Sequence, residues 1–260
     1  MMNFHNIPIL VYHKLSEQRE KKSYTIDKGD FNNQMKYIYH NQYKCILVDD
    51  YVKSIINPLY KIPLKSVVIT FDDGYESDFK IAMPILQKYN FKATFFITSD
   101  WIGSNGYMKH KQLQCLQKKG MSVQSHAKTH MFLDSMSKYD IFEEIKHSKD
   151  VIENILDKEV PFISFPGGRY NKDVIACAEK LGIQALFSSD PYYCKNFGNI
   201  QLIGRCMIKY TSNGNNFIKL INLQEYEKLR LIGCNYGKKI LQKILGDKLY
   251  HGLWEIIVSK

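Results

Sequence analysis

The chain has 260 residues, 45% of them hydrophobic, which is enough for one large α/β domain or two small ones. Lysine and arginine exceed aspartate and glutamate by 36 − 26 = 10. This excess favours an anionic membrane or an anionic glycan as a binding partner, but it is equally typical of a basic soluble protein without an anionic partner. The sequence contains no nucleic-acid-binding motif and no run near the roughly 20 apolar residues of a transmembrane helix, so we expect neither a nucleic-acid partner nor a membrane span.

Short apolar runs alternate with longer amphipathic segments along the chain. The apolar runs predict strands at residues 7–12, 66–71, 93–97, 121–124, 161–165, 183–187 and 202–208. Apolar stripes at helical spacing, around Met35, Ile85, Ile145 and Ala178, predict helices between them. This alternation indicates an α/β fold with a parallel sheet, and about seven units favour a distorted (β/α) barrel over a doubly wound open sheet. In either architecture, ligands bind at the carboxyl ends of the strands.

The character of the chain changes after Asn215. We predict a catalytic domain at residues 1–215 and a C-terminal extension at residues 216–260, in which residues 226–245 form a basic amphipathic helix. That helix would pack on the barrel, cover a partner or lie on a membrane surface, and packing is its commonest fate. The first ten residues lack the features of a secretory signal, and the six cysteines form no CxxC pair. We therefore expect a cytoplasmic protein, with peripheral membrane contact as an option.

Two carboxylates follow the strand predicted at residues 66–71. Asp72 and Asp73 stand in the sequence TFDDG, and Gly74 allows the bend that turns both towards the mouth of a barrel. Taken alone, Asp-Asp-Gly is more typical of a solvated turn.

Two histidines follow the strand predicted at residues 121–124. His126 and His130 are four residues apart, which on a helical turn places both imidazoles on one face, where they can bind one ion. Because both motifs follow predicted strands, we expect them to open at the same end of the fold. Asp73 with the two histidines then forms a set typical of catalytic zinc, iron or cobalt, and Asp72 is placed to act as a general base on a water bound to that metal.

The strand predicted at residues 161–165 is followed by Pro166-Gly167-Gly168-Arg169. Pro-Gly-Gly is turn chemistry and leaves backbone N–H groups to meet an oxyanion. We assign Pro166, Gly167 and Arg169 to substrate binding, together with Tyr12.

These motifs resemble the polysaccharide deacetylase family, a carbohydrate esterase family with the NodB-type homology domain. Residues 70–74 match its TFDDG motif, His126 and His130 match H-[ST]-x-x-H with Ala127 in place of Ser or Thr, and Pro166 and Gly168 match its third motif. Residues 9–13 and 91–97 are also similar to this family, and the likeness runs from about residue 8 to residue 208.

The resemblance implies a fold, an activity and residue roles. It implies a distorted barrel and a hydrolase that removes acetyl groups from N- or O-acetylated sugars, including cell-envelope glycans. Asp73, His126 and His130 would bind one divalent metal ion, usually zinc, and Asp72 would be the base. The Gly167 N–H would help to hold the oxyanion.

The later motifs depart from the family pattern. Ser164 stands where an arginine usually orients the base, residues 188–191 lack the usual tryptophan, and residues 202–205 lack the histidine that supplies the general acid. His13 is our candidate acid, with the alternative that it only hydrogen-bonds a neighbouring strand or loop. Arg205 would bind an anionic part of the substrate or orient Asp72.

Three functions follow from this sequence. The first is a metal-dependent N-deacetylase of a sugar, glycan or glycan precursor. The alternatives are a deacetylase-like glycan-binding protein with reduced or no turnover, and another metal-dependent C–N hydrolase on the same fold.

Overall fold

The computed structural model describes residues 7–191 and 194–222, and seven isolated positions between 233 and 246. The strands are β1 (Ile9–Tyr12), β2 (Lys14–Ser16), β3 (Thr25–Asp27), β4 (Lys44–Ile46), β5 (Ser66–Phe71), β6 (Thr94–Ile97), β7 (Ser122–Ser125), β8 (Phe162–Ser164), β9 (Ala185–Ser188), β10 (Cys194–Phe197), β11 (Ile200–Gly204) and β12 (Cys206–Met207). The helices are α1 (Lys28–His40), α2 (Val48–Ile56), α3 (Met83–Lys88), α4 (His110–Lys118), α5 (Lys138–Leu156), α6 (Lys172–Lys180) and α7 (Gly214–Ile221).

The central sheet is a distorted barrel of parallel strands. β1, β5, β6, β7, β8 and β9 lie side by side in that order, each parallel to its neighbour. The seventh place is shared: β11 pairs with β9, and β12 pairs with β1. Arg205 is the one residue between β11 and β12, so a single stretch of chain closes the barrel by changing neighbours there. The predicted fold class and all seven predicted strands are confirmed.

The strands that the sequence did not predict lie at the edges of the barrel. β4 adds to the start of β5, β10 forms an antiparallel hairpin with β11, and β2 and β3 form a small separate sheet. These segments are short and mostly lack the continuous apolar run of a buried strand, because each has at least one partly exposed face.

The helices cover the outside of the barrel. In α5, Ser137 caps the N-terminus by accepting a hydrogen bond from the Asp140 N–H, and Ile141, Ile145 and Ile152 are buried on one face. The predicted helices near Met35, Ile85 and Ala178 are likewise present as α1, α3 and α6. Within the described residues, every helix is too short or too polar to span a membrane.

The boundary predicted at residue 215 falls at the start of α7, whose apolar face is buried. Most of residues 226–245 lie outside the described residues, so the predicted C-terminal helix and its packing stay a prediction.

Candidate metal centre

The candidate residues gather at the carboxyl ends of the barrel strands, as expected for this architecture. Each follows directly from the end of a strand or lies in the loop beyond it: His13 after β1, Asp72 and Asp73 after β5, His126 and His130 after β7, Ser164 at the end of β8 and Arg205 after β11.

Asp73 lies between the two imidazoles. Its Oδ1 is 3.3 Å from His126 Nε2 and 3.2 Å from His130 Nε2, and one ligand atom from each residue lies within 4.8 Å of the others. Asp73 Oδ1 is buried and makes no hydrogen bond within the described residues. A buried carboxylate oxygen without a donor is costly, so the arrangement needs a positive charge at this point.

The tautomer of His126 supports the same conclusion. Its Nδ1 lies 3.0 Å from the Ser164 carbonyl oxygen, which can only accept a hydrogen bond, so Nδ1 carries the proton. A neutral His126 therefore turns the lone pair of Nε2 towards Asp73. Nδ1 also contacts Ser164 Oγ, and that hydroxyl lies 3.4 Å from Asp72 Oδ1. Asp73 Oδ1 and His126 Nε2 are thus two acceptors that face each other, while the hydrogen bond from Nδ1 to Ser164 fixes the His126 ring. This arrangement is typical of a metal site, so these residues fit a divalent ion.

The loop that carries both histidines is not helical, so the expectation of a helical turn is wrong. Ala127 and His130 both have positive φ, 61° and 66°, and the two rings converge with centroids 5.1 Å apart. On the facing strand, Asp73 itself has φ 76°, so the bend begins one residue before Gly74. Non-glycine residues in the left-handed region are uncommon and concentrate at functional sites.

Glu144, which the sequence analysis missed, holds the histidine loop in place. Its buried carboxylate accepts hydrogen bonds from the Lys128 and Thr129 N–H groups at 3.1 and 2.9 Å, and from Thr129 Oγ1 at 2.8 Å. Its position among the apolar residues of α5 was the available signal, since a glutamate there is rarely buried without a specific partner.

Asp72 and Arg205 form a buried bidentate ion pair. Arg205 Nη1 and Nη2 donate to the two oxygens of Asp72 at 2.7 and 2.6 Å, and Nη1 also donates to Thr70 Oγ1 at 3.2 Å. Burial alone would raise the pKa of Asp72, but the charge of Arg205 and its hydrogen bonds to the carboxylate outweigh burial and hold that pKa below its ordinary value. Arg205 is almost fully buried, so of its two predicted roles the geometry fits the orientation of Asp72, and contact with an anionic substrate group does not fit.

His13 lies at the same end of the barrel. It is partly buried, its ring lies 5.3 Å from that of Tyr24, and its Nδ1 makes no hydrogen bond within residues 7–191 and 194–222. Burial lowers the pKa of His13, and the carboxylates of Asp73 and Asp72 oppose that effect. Nδ1 thus makes no hydrogen bond to a neighbouring strand or loop, and both the catalytic role of His13 and its alternative as a hydrogen-bonding residue stay predictions.

The substrate-binding residues fall into two groups. Gly167 is exposed after β8 with φ 64°, above the buried Pro166. Arg169 Nε donates to both oxygens of Asp134 at 2.9 and 3.0 Å, so its charge is already paired. Tyr12 is a correction: it is fully buried, and its hydroxyl donates to Gln34 beneath α1, where no substrate can reach it.

Comparison with known proteins is consistent with this geometry. The family model for polysaccharide deacetylases matches residues 60–186. Over 185 residues the chain is 31% identical to "Putative polysaccharide deacetylase YxkH" of Bacillus subtilis (strain 168), covering 71% of this chain and 65% of that one. Over 191 residues it is 29% identical to the poly-beta-1,6-N-acetyl-D-glucosamine N-deacetylase of Staphylococcus epidermidis, covering 67% and 64%. The chain thus spans just under two thirds of the length of these two relatives.

Solved structures show the same fold. The Streptococcus pyogenes deacetylase PplD, in complex with acetate, superposes with a TM-score of 0.72 at 24% identity, covering 83% of this chain and 97% of that one. IcaB from Ammonifex degensii superposes with a TM-score of 0.70 at 18% identity, covering 80% and 93%.

Proposed function

The chain belongs to the polysaccharide deacetylase family, and on that premise we propose that it is a metal-dependent hydrolase that removes N-acetyl groups from an N-acetylated glycan or glycan precursor. The observation that carries the proposal is the buried Asp73 Oδ1, which lies 3.2–3.3 Å from two imidazole nitrogens and has no hydrogen-bond donor among the described residues.

Asp73, His126 and His130 would hold the ion, which we propose to be zinc because one carboxylate and two imidazoles are a usual catalytic zinc set. Bound there, the ion would act as a Lewis acid on the acetyl carbonyl and make a water molecule more acidic. Ser164 would keep His126 in the tautomer that binds metal through Nε2.

Asp72 is the proposed general base. Arg205 fixes both of its oxygens and favours its ionised form, so Asp72 is ready to accept a proton from the attacking water at neutral pH. Arg205 thereby takes the orienting role that Ser164 cannot fill.

The leaving amine needs a proton, and Arg205 cannot supply it because a guanidinium does not deprotonate near neutrality. His13 is the proposed donor, since its Nδ1 has no other hydrogen-bond partner in the described residues. In its resting, neutral form it would first receive the proton that Asp72 takes from water. The exposed Gly167 backbone is proposed to face the oxyanion.

The substrate class rests on the relatives. The Staphylococcus epidermidis protein is named for poly-beta-1,6-N-acetyl-D-glucosamine, which makes N-acetylglucosamine oligomers the first substrates to test. A cytoplasmic location stays a prediction from the sequence.

The test combines metal analysis with acetate release from N-acetylglucosamine oligomers. We expect about one zinc per chain, activity that a chelator removes and zinc restores, and loss of both metal and activity in Asp73→Asn. Asp72→Asn should keep the metal and lose about 10²–10⁴-fold in turnover.

Other outcomes separate the alternatives. Metal binding with no acetate release from any oligomer would favour the glycan-binding protein. Full activity in Asp73→Asn, or in the chelated protein, would refute the proposed site.

A further inference from the structure

An ordered loop at the end of the barrel opposite the metal centre exposes large apolar side chains. Residues 57–65 connect α2 to the first residue of β5, whereas Asp72 and Asp73 follow its last residue, so the loop and the centre lie at opposite ends of the strand. Leu59 is 87% exposed and Leu64 86%, and Ile56 beside them is 53% exposed. A single exposed apolar residue is ordinary on a protein surface, but three large ones within residues 56–64 are more than scattered exposure.

The loop cannot hide these leucines, because its other residues fix it. Ile62 is buried in the apolar cluster inside the amino end of the barrel. The Tyr60 hydroxyl donates to Asp50 at 2.6 Å, and the Lys61 ammonium donates to the Pro58 carbonyl at 2.7 Å. Ile62 and Tyr60 are thus held against the domain, and the Lys61–Pro58 bond ties the exposed turn to itself, so Leu59 and Leu64 face outward.

The charge around the leucines is mixed but net positive, because Asp49 and Asp50 of α2, one of which accepts the Tyr60 hydrogen bond, lie near three lysines. Residues 53–65 contain three lysines and no acidic residue. Lys53 lies over the Tyr60 ring, with Nζ 4.4 Å from the centroid, and Lys65 lies over Tyr43 at 4.9 Å, so two of the three flank the loop.

The rest of the chain continues from this end. Asn222, the last residue after α7, accepts a hydrogen bond from the Tyr43 hydroxyl at 2.8 Å, and Lys65 covers the same Tyr43 ring. The continuously described part of the chain therefore ends beside the leucine loop, and the sequence of residues 223–260 carries seven basic and four acidic residues.

We propose that this leucine–lysine face, defined by Ile56, Leu59, Leu64 and lysines 53, 61 and 65, docks on an anionic lipid surface. The leucines would enter the interface between headgroups and acyl chains, and the lysines would meet the lipid phosphates. A bilayer held there leaves the metal centre pointing away from it, open to a glycan.

The charge of the leucine–lysine face favours an anionic bilayer over two other binding partners, a second copy of the chain and residues 223–260. A second copy docked on the same face would bring its own three lysines against these three, and residues 223–260 are net basic as well, so both would meet like charge. An anionic bilayer is complementary to the apolar centre and to the lysines around it.

The test is co-sedimentation of the full chain with vesicles of pure phosphatidylcholine and of equimolar phosphatidylcholine and phosphatidylglycerol. We expect binding to the anionic vesicles that weakens with salt. Leu59→Ser with Leu64→Ser should weaken it by at least about tenfold, since each buried leucine favours transfer from water by about that factor or more. Lys61→Gln with Lys65→Gln should weaken anionic binding by about fivefold per lysine. Tyr139→Ser is the matched control, because Tyr139 is 72% exposed on α5, away from the loop, and should leave binding unchanged.

Two results would overturn the proposal. One is wild-type protein that stays in the supernatant with anionic vesicles, or a leucine double variant that binds as tightly as wild type. The other is a wild-type dimer in light scattering that the leucine substitutions convert to a monomer, which would assign the face to a second copy. Unchanged thermal unfolding of all variants serves as the folding control.

Discussion

Replacing Arg205 with methionine tests how much the ion pair with Arg205 stabilises Asp72, the proposed base. Arg205 lies in the core and donates two hydrogen bonds to Asp72, one to Thr70 Oγ1 and a longer one of 3.4 Å to the Ser188 carbonyl. Methionine keeps most of the apolar volume that packs near Phe96 but removes the charge and every donor. The variant therefore leaves the Asp72 carboxylate buried and without its cation.

Breaking a buried ion pair from one side costs about 3–5 kcal/mol, a large part of the roughly 5–15 kcal/mol of a typical domain. Asp72→Asn leaves Arg205 unpaired and should carry a similar cost. The double variant removes both charges, so its loss should be smaller than the sum of the two single losses by at least about 2 kcal/mol.

The pH dependence should reverse in the variant. In the wild type the pKa of Asp72 is below its ordinary value, so the stabilisation is present above about pH 4 and lost as pH falls through the folded pKa. In Arg205→Met, burial acts without its largest opposing charge, and we expect the pKa to rise above about 4. The variant then loses more unfolding free energy, relative to the wild type, as pH rises through the raised pKa of Asp72. This loss is greatest near neutral pH.

The assay is urea unfolding at neutral and mildly acidic pH, with a chelator present so that metal binding does not contribute. Two results would refute the argument that Asp72 depends on Arg205. One is a loss of unfolding free energy below about 1 kcal/mol in Arg205→Met at neutral pH, and the other is a loss in the double variant equal to the sum of the two single losses. A deficit that does not shrink on acidification would refute the expected pKa change.

Three further predictions concern the surroundings of the site. Glu144→Ala removes the acceptor of three hydrogen bonds to the histidine loop and should weaken zinc affinity by about 10–100-fold in a competition titration, while Glu144→Gln should lose less. Gly168→Ala should be less stable in urea than Gly182→Ala by about 1–3 kcal/mol: both glycines have φ near 70°, but only at Gly168 would a Cβ meet the Ser189 backbone, at 2.6 Å. His13→Gln should lower kcat by about 10²-fold with zinc content unchanged, and an unaltered kcat would exclude His13 as the acid.

The barrel could be predicted because its strands are buried on both faces. β5 and β6 are apolar or small at every position, and such runs separated by amphipathic helices have few alternative folds. The strands missed by sequence are the exposed or short ones, such as β4 and β10, where burial does not constrain residue type.

The sequence predicts which residues gather at the candidate site better than it predicts how they are arranged there. Asp72, Asp73 and His126 directly follow predicted strands and His130 lies in the loop after His126, so strand direction alone brings them to one end. The conformation of the histidine loop depends on Glu144 in a distant helix, which spacing does not reveal. The role predicted for Tyr12 was wrong because successive side chains of β1 point to opposite faces of the strand, and Tyr12 lies on the face that packs under α1.

Arg205 links the closure of the barrel to the chemistry of its mouth. Gly204 pairs with Ser188 of β9, and Cys206 pairs with Leu10 of β1, so Arg205 occupies the point where the closing strand leaves one neighbour for the other. At such a break the side chain is released from the regular alternation of a ladder, and here it reaches Ser188 of β9 on one side and Thr70 and Asp72 at the end of β5 on the other. A guanidinium has five donors in a fixed plane, enough for these four hydrogen bonds, whereas a lysine ammonium has three. The closure of the barrel is thereby held by the residue that fixes Asp72, the proposed base, which is why we expect substitutions at Arg205 to lower stability and turnover together.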